Sequence, residues 1–508
     1  MKQLSDASAD EPVTCDVVIV GGGPVGMLLA HELALQGVQP LVVESLPEPS
    51  GVSKAGTLHA RTVESLHRRG LREAVQPRPA RGGRSSVPFH FAGMFDIDLA
   101  DVSAEGPVIV GSPQAYAEHV FAERASRLGA RILRGQECTG VQDEGDHVRV
   151  DLQGVDGTRN RITARWVVGC DGVRSAVRRS AGIPFTGTPA TVAALMGEVR
   201  LLDPWTAPGG WQRTPRGWTL VWLNPGGHSR VCTYDFRGPA PDRQSPVTFE
   251  ELQESMERIA GRPVPMAEPQ DLTRFSDAAL QAESYRSGRV LLAGDAAHAH
   301  FPMGGQGLNT GLQDAVNLGW KLAAEVKGWA PPGLLDTYHS ERHPVAARVL
   351  YNVRAQVALM HPGVLTDSLR ELFRETMHLP QVNDFLTGMI SGTDIRYDVG
   401  VPGDPLAGAF APDARLKTAQ GSATLAALLH DGRPLLVHTA QAADQAGLAA
   451  PWSDRLNIVE VVPETASAMP APALLIRPDG YVLWSARGRG AKAPGLVEVA
   501  TAWLGAPA

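Results

Sequence analysis

Three short runs, far apart and in a fixed order, constrain this chain more than anything else in it. They are Val17-Val18-Ile19-Val20-Gly21-Gly22-Gly23-Pro24-Val25-Gly26, Val167-Val168-Gly169-Cys170-Asp171-Gly172-Val173-Arg174-Ser175 and Arg289-Val290-Leu291-Leu292-Ala293-Gly294-Asp295-Ala296-Ala297-His298. Each is an apolar, β-rich stretch that stops at a Gly/Asp turn. Such runs read as buried parallel strands, and their glycine ends expose backbone N–H groups. The three turns form one site only if folding sets the three strands side by side. A lone glycine motif makes no such demand.

The first run carries the most local detail. Cys15–Val20 reads as a strand, Pro24–Gln36 as a helix and Gln39–Glu44 as a second strand, a βαβ unit. Within Gly21-x-Gly23-x-x-Gly26, Gly21 permits the tight turn and Gly23 lets the backbone approach a pyrophosphate. Gly26 lets the helix lie close to the strand. Pro24 and Val25 open the helix, whose unpaired N–H groups and partial positive charge favour phosphates. Glu44, followed by Ser45, sits about 20 residues on, where an acid accepts hydrogen bonds from a ribose. An acid there disfavours a 2′-phosphate, so this motif suits FAD or NAD.

Asp295 tips the reading towards FAD. It follows an apolar strand, where a carboxylate is costly without partners, and the ribityl chain of a flavin offers hydroxyl groups. Behind it run Pro302-Met303-Gly304-Gly305-Gln306-Gly307-Leu308-Asn309 and then a long helix, Asn309–Val326. Its Gly305, Gly307, Leu308 and Asn309 expose backbone N–H groups at a helix start, which stabilises negative charge on a reduced flavin edge.

Composition removes several other classes. The net charge of −7 disfavours nucleic acid. Cys15, Cys138, Cys170 and Cys232 are widely spaced with no C-x-x-C, which argues for free thiols over a disulfide framework or zinc site. His298 and His300 have no accompanying ligand cluster in the sequence, so no metal is expected. Met1–Glu11 is polar, and no apolar run approaches the roughly 20 residues of a membrane span. The expected setting is the cytoplasm.

On these residues the chain resembles the class A flavoprotein monooxygenases, the fold group of p-hydroxybenzoate hydroxylase. Ser53–Glu64 and Gly304–Asn309 are most similar to bacterial aromatic polyketide hydroxylases and rifampicin monooxygenases. The resemblance implies an α/β fold: a Rossmann-like FAD-binding domain, an inserted antiparallel β-sheet substrate domain and a C-terminal thioredoxin-like domain. The expected boundaries are 12–85, 107–188 and 275–345 for the FAD-binding domain, and 86–106 and 189–274 for the substrate sheet. Linking helices follow over 346–398, and 399–508 forms the last domain. That domain holds no cysteine, so disulfide exchange is excluded from it.

The resemblance also carries residue roles. Arg61 matches an arginine reaching the FAD phosphates, Gln114 a residue beside the flavin, and Pro302 a proline against it. Asp171 and Arg174 match a turn linked to FAD and NADPH. The implied reaction is hydroxylation of an angucycline-, anthracycline- or tetracycline-type polyketide in antibiotic biosynthesis, with NADPH (or NADH) and O₂ consumed and a flavin C4a-hydroperoxide as oxygen donor. Baeyer–Villiger oxygenation, antibiotic inactivation, and a non-catalytic drug binder that keeps FAD stay open. A flavin halogenase is disfavoured, because Trp218 and Trp222 lack the Trp-x-Trp-x-Ile-Pro arrangement. Phe89, Phe91, Phe95, Trp211, Trp218 and Trp222 are candidates for an apolar substrate wall. The chain is expected to be a monomer or homodimer.

Overall fold

The computed structural model describes residues 13–77, 86–103, 105–240, 242, 245–465, 468–487 and 494–507. The polar stretch Met1–Glu11 lies outside them. The three fingerprint strands do lie side by side. Arg159–Gly169 is central, with Val13–Val20 parallel on one side and Val290–Leu292 parallel on the other. Leu41–Glu44 and Arg131–Arg134 extend the sheet in parallel beyond Val13–Val20. Val17, Val18, Ile19, Val167 and Val168 are wholly buried, as both-face coverage of a parallel sheet requires.

Register decides the site. Val20 pairs with Gly169 and with Val43, and Gly169 pairs with Leu292. All three glycine turns therefore leave one edge of the sheet at the same level. Main-chain bonds continue the ladder past the strand ends: Gly21 N–H to Val43 O at 2.8 Å, Cys170 N–H to Val20 O at 2.7 Å and Ala293 N–H to Gly169 O at 3.0 Å. Ligands of open α/β sheets bind beyond such carboxyl ends, where strand order reverses.

Residues from Ala193 to Ser276 form a five-stranded antiparallel sheet, with the helix Phe249–Ala260 packed on one face through Leu252, Met256 and Ile259. The strand-rich composition of that stretch concealed this helix. Its signals are local: Thr248 caps Glu251 N–H, acids fill the first turn and Gly261 ends it at φ 74°. The other face packs against Phe91, Phe301 and Met303, closing an aromatic core over the first domain. Pro88–Phe91 and Met94–Asp98 pair as a ribbon on that side.

The long helices Gln306–Lys327 and Thr337–Met360 lead to Val364–Met377 and Pro380–Ser391. Beyond Val399, the strands run Asn457–Glu460, Leu435–His438, Ala473–Ile476 and Val482–Ser485 across one sheet. The first two are parallel with the helix Ala443–Ala449 between them. The last two form an antiparallel hairpin, followed by the helix Leu496–Leu504. That βαβ-then-ββα order is the thioredoxin pattern. No helix of the described residues is long and apolar enough to cross a membrane.

Candidate active site

At the first turn, each glycine has a separate physical reason. Gly21 has φ 106°, and a Cβ there would overlap the Cys170 carbonyl. A Cβ on Gly26 would strike Gly21 O, so Gly26 sets how closely the helix Pro24–Leu35 approaches the strand. A Cβ on Gly23 would meet nothing within 4 Å. That open space fronts a helix start with no side-chain cap and with Pro24 and Val25 in its first turn. The N–H groups there lack partners, the condition for holding a phosphate.

Glu44 is half-buried and held in place. Its Oε2 accepts Gly22 N–H at 2.6 Å, while Oε1 accepts Leu46 N–H at 2.8 Å and Ser45 Oγ–H at 3.1 Å. A carboxylate oxygen takes more than one donor, so both keep capacity for ribose hydroxyls. Asp171 uses Oδ2 to accept Ala176 N–H (2.7 Å) and Val177 N–H (3.2 Å), capping a short helix. Its Oδ1 is buried with no partner. Arg174 is exposed. Gln114 opens the helix Gln114–Arg127 half-buried, its N–H bonded to Ala55 O at 2.9 Å.

One expectation needs correction. Asp295 is exposed, not buried: the strand ends at Leu292, and Gly294–Ala296 turns outward as a single 3₁₀ turn. The buried acid is Asp314, one helix away. Its Oδ2 accepts from His298 Nε2 (2.6 Å) and Gly294 N–H (3.2 Å), and its Oδ1 accepts from Arg342 Nε (2.8 Å). Burial alone would raise the Asp314 pKa, but His298 and Arg342 more than offset this and hold it below the usual carboxylate range.

Arg61, expected at the FAD phosphates, is engaged by partners within the protein. Its Nη1 donates to Glu64 (2.7 Å), Nε to Gly392 O (3.3 Å) and Nη2 to Thr393 O (2.9 Å), and its guanidinium lies 3.8 Å from the Phe410 ring centre. It joins the first domain to the C-terminal region. The side chain of Asn309 is likewise engaged: its amide holds His59 N–H (2.8 Å), Thr57 O (3.2 Å) and Gly305 O (2.8 Å). Both contacts span hundreds of residues, which no local pattern signals.

The second glycine loop makes the left-handed turns its sequence implied, but the helix behind it begins at Gln306 and not at Asn309. Gly304 and Gly305 have φ 70° and 65°, and no side chain caps the helix Gln306–Lys327. Pro302 is exposed, while Gly305, Gly307 and Leu308 are half-buried. A Cβ on Gly311 would come 2.7 Å from Val25 and 3.2 Å from Gly294 Cα, so this helix abuts the first and third fingerprints.

Of the aromatic candidates, four gather beside this loop. Phe89 stacks on His90 (5.0 Å between centres), His90 faces Trp211 (5.4 Å), and Trp211 stacks on Tyr234 (5.3 Å). Phe91 and Trp218 are buried in the same cluster. Trp218 donates Nε1–H to Met360 O at 2.7 Å, so it braces the sheet against a helix. Trp222 and Phe95 are 53% and 55% exposed and leave the cluster. Trp222 closes its strand beyond the covered layer. Phe301, Tyr234 and Phe275 complete the cluster and had no signal in spacing. Burial holds His90 neutral, its pKa pushed down to about 4.

The free thiols of Cys15, Cys138 and Cys232 are pushed by burial to about 11, 12 and 12, so they stay protonated at neutral pH. No group of three or more metal-ligating side chains gathers among the described residues.

A cavity of about 560 Å³ opens between the helices Gln306–Lys327 and Thr337–Met360, lined by Thr310, Gln313, Arg348 and Tyr397. It lies on the helix face away from Gly311. An extended dinucleotide occupies a groove more than an enclosed hole, so the three strand ends mark the site better than this cavity does. The open cradle at Gly23, the two uncapped helix starts and the unpartnered Asp171 Oδ1 fit FAD.

Residues 14–353 match the model of a FAD binding domain, and residues 404–507 match that of the aromatic-ring hydroxylase C-terminal region. A 12-dehydrotetracycline 5-monooxygenase/anhydrotetracycline 6-monooxygenase of Streptomyces rimosus is 40% identical, covering 97% of this chain and 99% of its own. A rifampicin monooxygenase of Streptomyces venezuelae is 41% identical, with the same two coverages of 97% and 99%. Among solved structures, an aromatic hydroxylase from angucycline biosynthesis superposes with a TM-score of 0.89 at 40% identity, over 97% of this chain and all of that one (100%).

Proposed function

The chain belongs to the family of FAD-binding aromatic-ring hydroxylases, and from that membership we propose that it hydroxylates a polycyclic aromatic polyketide in antibiotic biosynthesis, using NADPH and O₂. One observation carries the reading. The ends of three strands align at one level, and Phe301 and Met303, which follow the third of them in the chain, pack in the aromatic cluster with Phe91 and Trp218, so one short segment links the glycine turns to the cluster.

In this reading Val25 and Gly26 N–H would hold the pyrophosphate, and Glu44 the adenosine ribose. Asp295, exposed at the end of the third fingerprint, would accept from ribityl hydroxyls. The N–H groups of Gln306 and Gly307 would favour negative charge at the flavin ring edge. When bound, FAD supplies the activation of O₂ that no side chain provides. The protein's own part is to orient the aromatic ring and exclude water. Phe89 and Trp211, the half-buried members of the cluster, present apolar, rigid faces, which suits a fused ring and leaves water few partners. Asp314 and Arg342 act from behind by fixing the Gly294 turn.

The test is isotopic. Enzyme, NADPH and a panel of aromatic polyketides under ¹⁸O₂ should give a product carrying one ¹⁸O, with none from labelled water. Mild alkali distinguishes a new hydroxyl from an inserted ester, since only the lactone opens. A product without label from O₂ would overturn the proposal.

A further inference from the structure

The turn that joins Pro88–Phe91 to Met94–Asp98 is strained. Ala92 has φ 53° and is wholly buried, whereas Glu268 and Asp271, the other non-glycine residues with positive φ among the described ones, are exposed. An alanine stays in the left-handed region only where its surroundings hold it there. Two side chains hold this one: Ala92 N–H donates to Gln356 Oε1 at 3.0 Å, and Ala92 O accepts from Arg370 Nη1 at 2.9 Å. A Cβ on the next residue, Gly93, would come 2.6 Å from the Trp218 ring, so the tip of the ribbon also lies tight against the sheet.

Gln356 is the first link in a chain of amides. Its Nε2 donates to Asn352 Oδ1 (3.2 Å), Asn352 Nδ2 donates to Gln306 Oε1 (2.7 Å), and Gln306 Nε2 donates to Met389 O (3.2 Å). Both ends are main-chain groups, a donor at Ala92 and an acceptor at Met389, so each amide between them has one orientation only. Asn352 and Gln356 are 0% exposed and Gln306 is 3% exposed. Their neighbours on the helix Thr337–Met360, Val349 and Val353, belong to the apolar core that holds Phe91, Phe301 and Met389. A polar chain buried in such a core and fully paired fixes one arrangement of the parts it joins.

Those parts are the aromatic ribbon and the second glycine loop. The ribbon carries Phe89 and His90, which continue the stack to Trp211. Gln306 opens the helix behind the loop. The place a Cβ on Gly304 would take is 3.5 Å from Gln356 Nε2 and 3.7 Å from Gln306 Oε1, so the amide chain runs in contact with the loop itself.

We propose that Gln356, Asn352 and Gln306 are positioning residues, whose amide chain sets the aromatic ribbon at a fixed place relative to the glycine loop. The inference rests on the function proposed above, in which the ribbon meets the substrate and the loop meets the flavin. In register, NADPH, H⁺, O₂ and an aromatic C–H give NADP⁺, water and a hydroxylated ring. Out of register, NADPH, H⁺ and O₂ give NADP⁺ and hydrogen peroxide, and the ring is left unchanged.

Asn352→Leu keeps the volume and removes both of its links. Hydrogen exchange of the FAD-loaded enzyme, read by mass spectrometry, should then be about tenfold faster or more in both 88–98 and 303–312, neither of which contains the substitution. With the best substrate of the polyketide panel, product formed per NADPH oxidised should fall about threefold or more, with FAD content unchanged. Val353→Ala opens a cavity beside the chain and spares it, so it should lower stability and move neither readout. Faster exchange in one segment only, or in neither, overturns the relay. An unchanged product ratio overturns it as well, as does a Val353→Ala that reproduces both changes. Loss of FAD from Asn352→Leu would assign the chain to cofactor retention and also overturn the proposal. Should Asn352→Leu fail to fold, Gln356→Met decides: it cuts the link at Ala92, and unless it loosens 88–98 and lowers the ratio the relay is wrong. A wild type that hydroxylates no member of the panel would sink the function proposed above, while the exchange measurement still decides whether the two segments are linked.

Discussion

Asp314→Asn should be among the most damaging conservative substitutions in this chain. Asp314 and Arg342 are both 0% exposed, and the pair is joined at 2.8 Å. The amide keeps the shape and an acceptor but removes the charge, leaving the guanidinium of Arg342 buried against the neutral Thr310 O and Tyr397 hydroxyl. Breaking a buried pair from one side costs about 3–5 kcal/mol. The retained acceptor puts the expected loss near ~3 kcal/mol, roughly a hundredfold in the folded-to-unfolded ratio. With the amide oxygen kept towards Arg342, Gly294 N–H faces the amide NH₂ and loses its acceptor, so FAD should be held less firmly. Urea unfolding followed by tryptophan fluorescence measures the first effect, and titration of apoenzyme with FAD the second. The double variant Asp314→Leu, Arg342→Met buries no charge and should recover much of the loss. A single variant within ~0.5 kcal/mol of wild type, or a double variant as unstable as the sum of its singles, would refute the reasoning.

The two glycines of the first turn should behave differently. Gly21→Ala should prevent folding or FAD binding, since φ 106° and the Cys170 carbonyl both oppose a side chain; Gly23→Ala should fold and lose FAD affinity, because its methyl enters open space. Thermal melts and FAD titration of each variant check this. Replacing all four cysteines by Ser or Ala should leave activity within about threefold of wild type, as protonated thiols are poor nucleophiles; loss of turnover beyond that would assign one of them a role. Burial raises the Glu341 pKa, but Arg477 and Lys321 outweigh it and bring it to about 2, against 4.5 for the free group. Because its folded value is depressed, Glu341 contributes stability that is complete above pH ~4.5 and is lost as pH falls towards 2. Acid titration of unfolding should therefore be shallower over that window in Glu341→Gln, and an unchanged slope would count against the assignment.

Much of the nucleotide half was legible in the chain because its signals are local. A strand that ends in Gly21, a helix that begins at Pro24 and an acid at the end of the next strand are each set by neighbours within a few residues. The same holds for Gly304 and Gly305, whose positive φ follows from a turn that only glycine enters cheaply. The cysteine-free C-terminal unit was readable for a similar reason, from two hydrophobic runs around Arg477-Pro478-Asp479-Gly480.

What tertiary structure decided is where long polar side chains end. Arg61 has a reach of several ångströms, and nothing in its sequence neighbourhood separates a phosphate from Gly392 O, Thr393 O and the Phe410 ring, all more than 300 residues away. Asn309 went to Thr57 and His59 for the same reason. Asp295 is exposed while Asp314 is buried, because burial depends on which helix covers a strand end and not on the strand. The aromatic wall also needed the fold: Trp218, Trp211 and Trp222 look alike on two paired strands, and only the layer above them buries the first, half-covers the second and leaves the third in solvent. His59 shows the limit most clearly. The chain places it before a helix, but its ring is oriented by Ile390 O, 331 residues on, which Nδ1 meets at 3.0 Å.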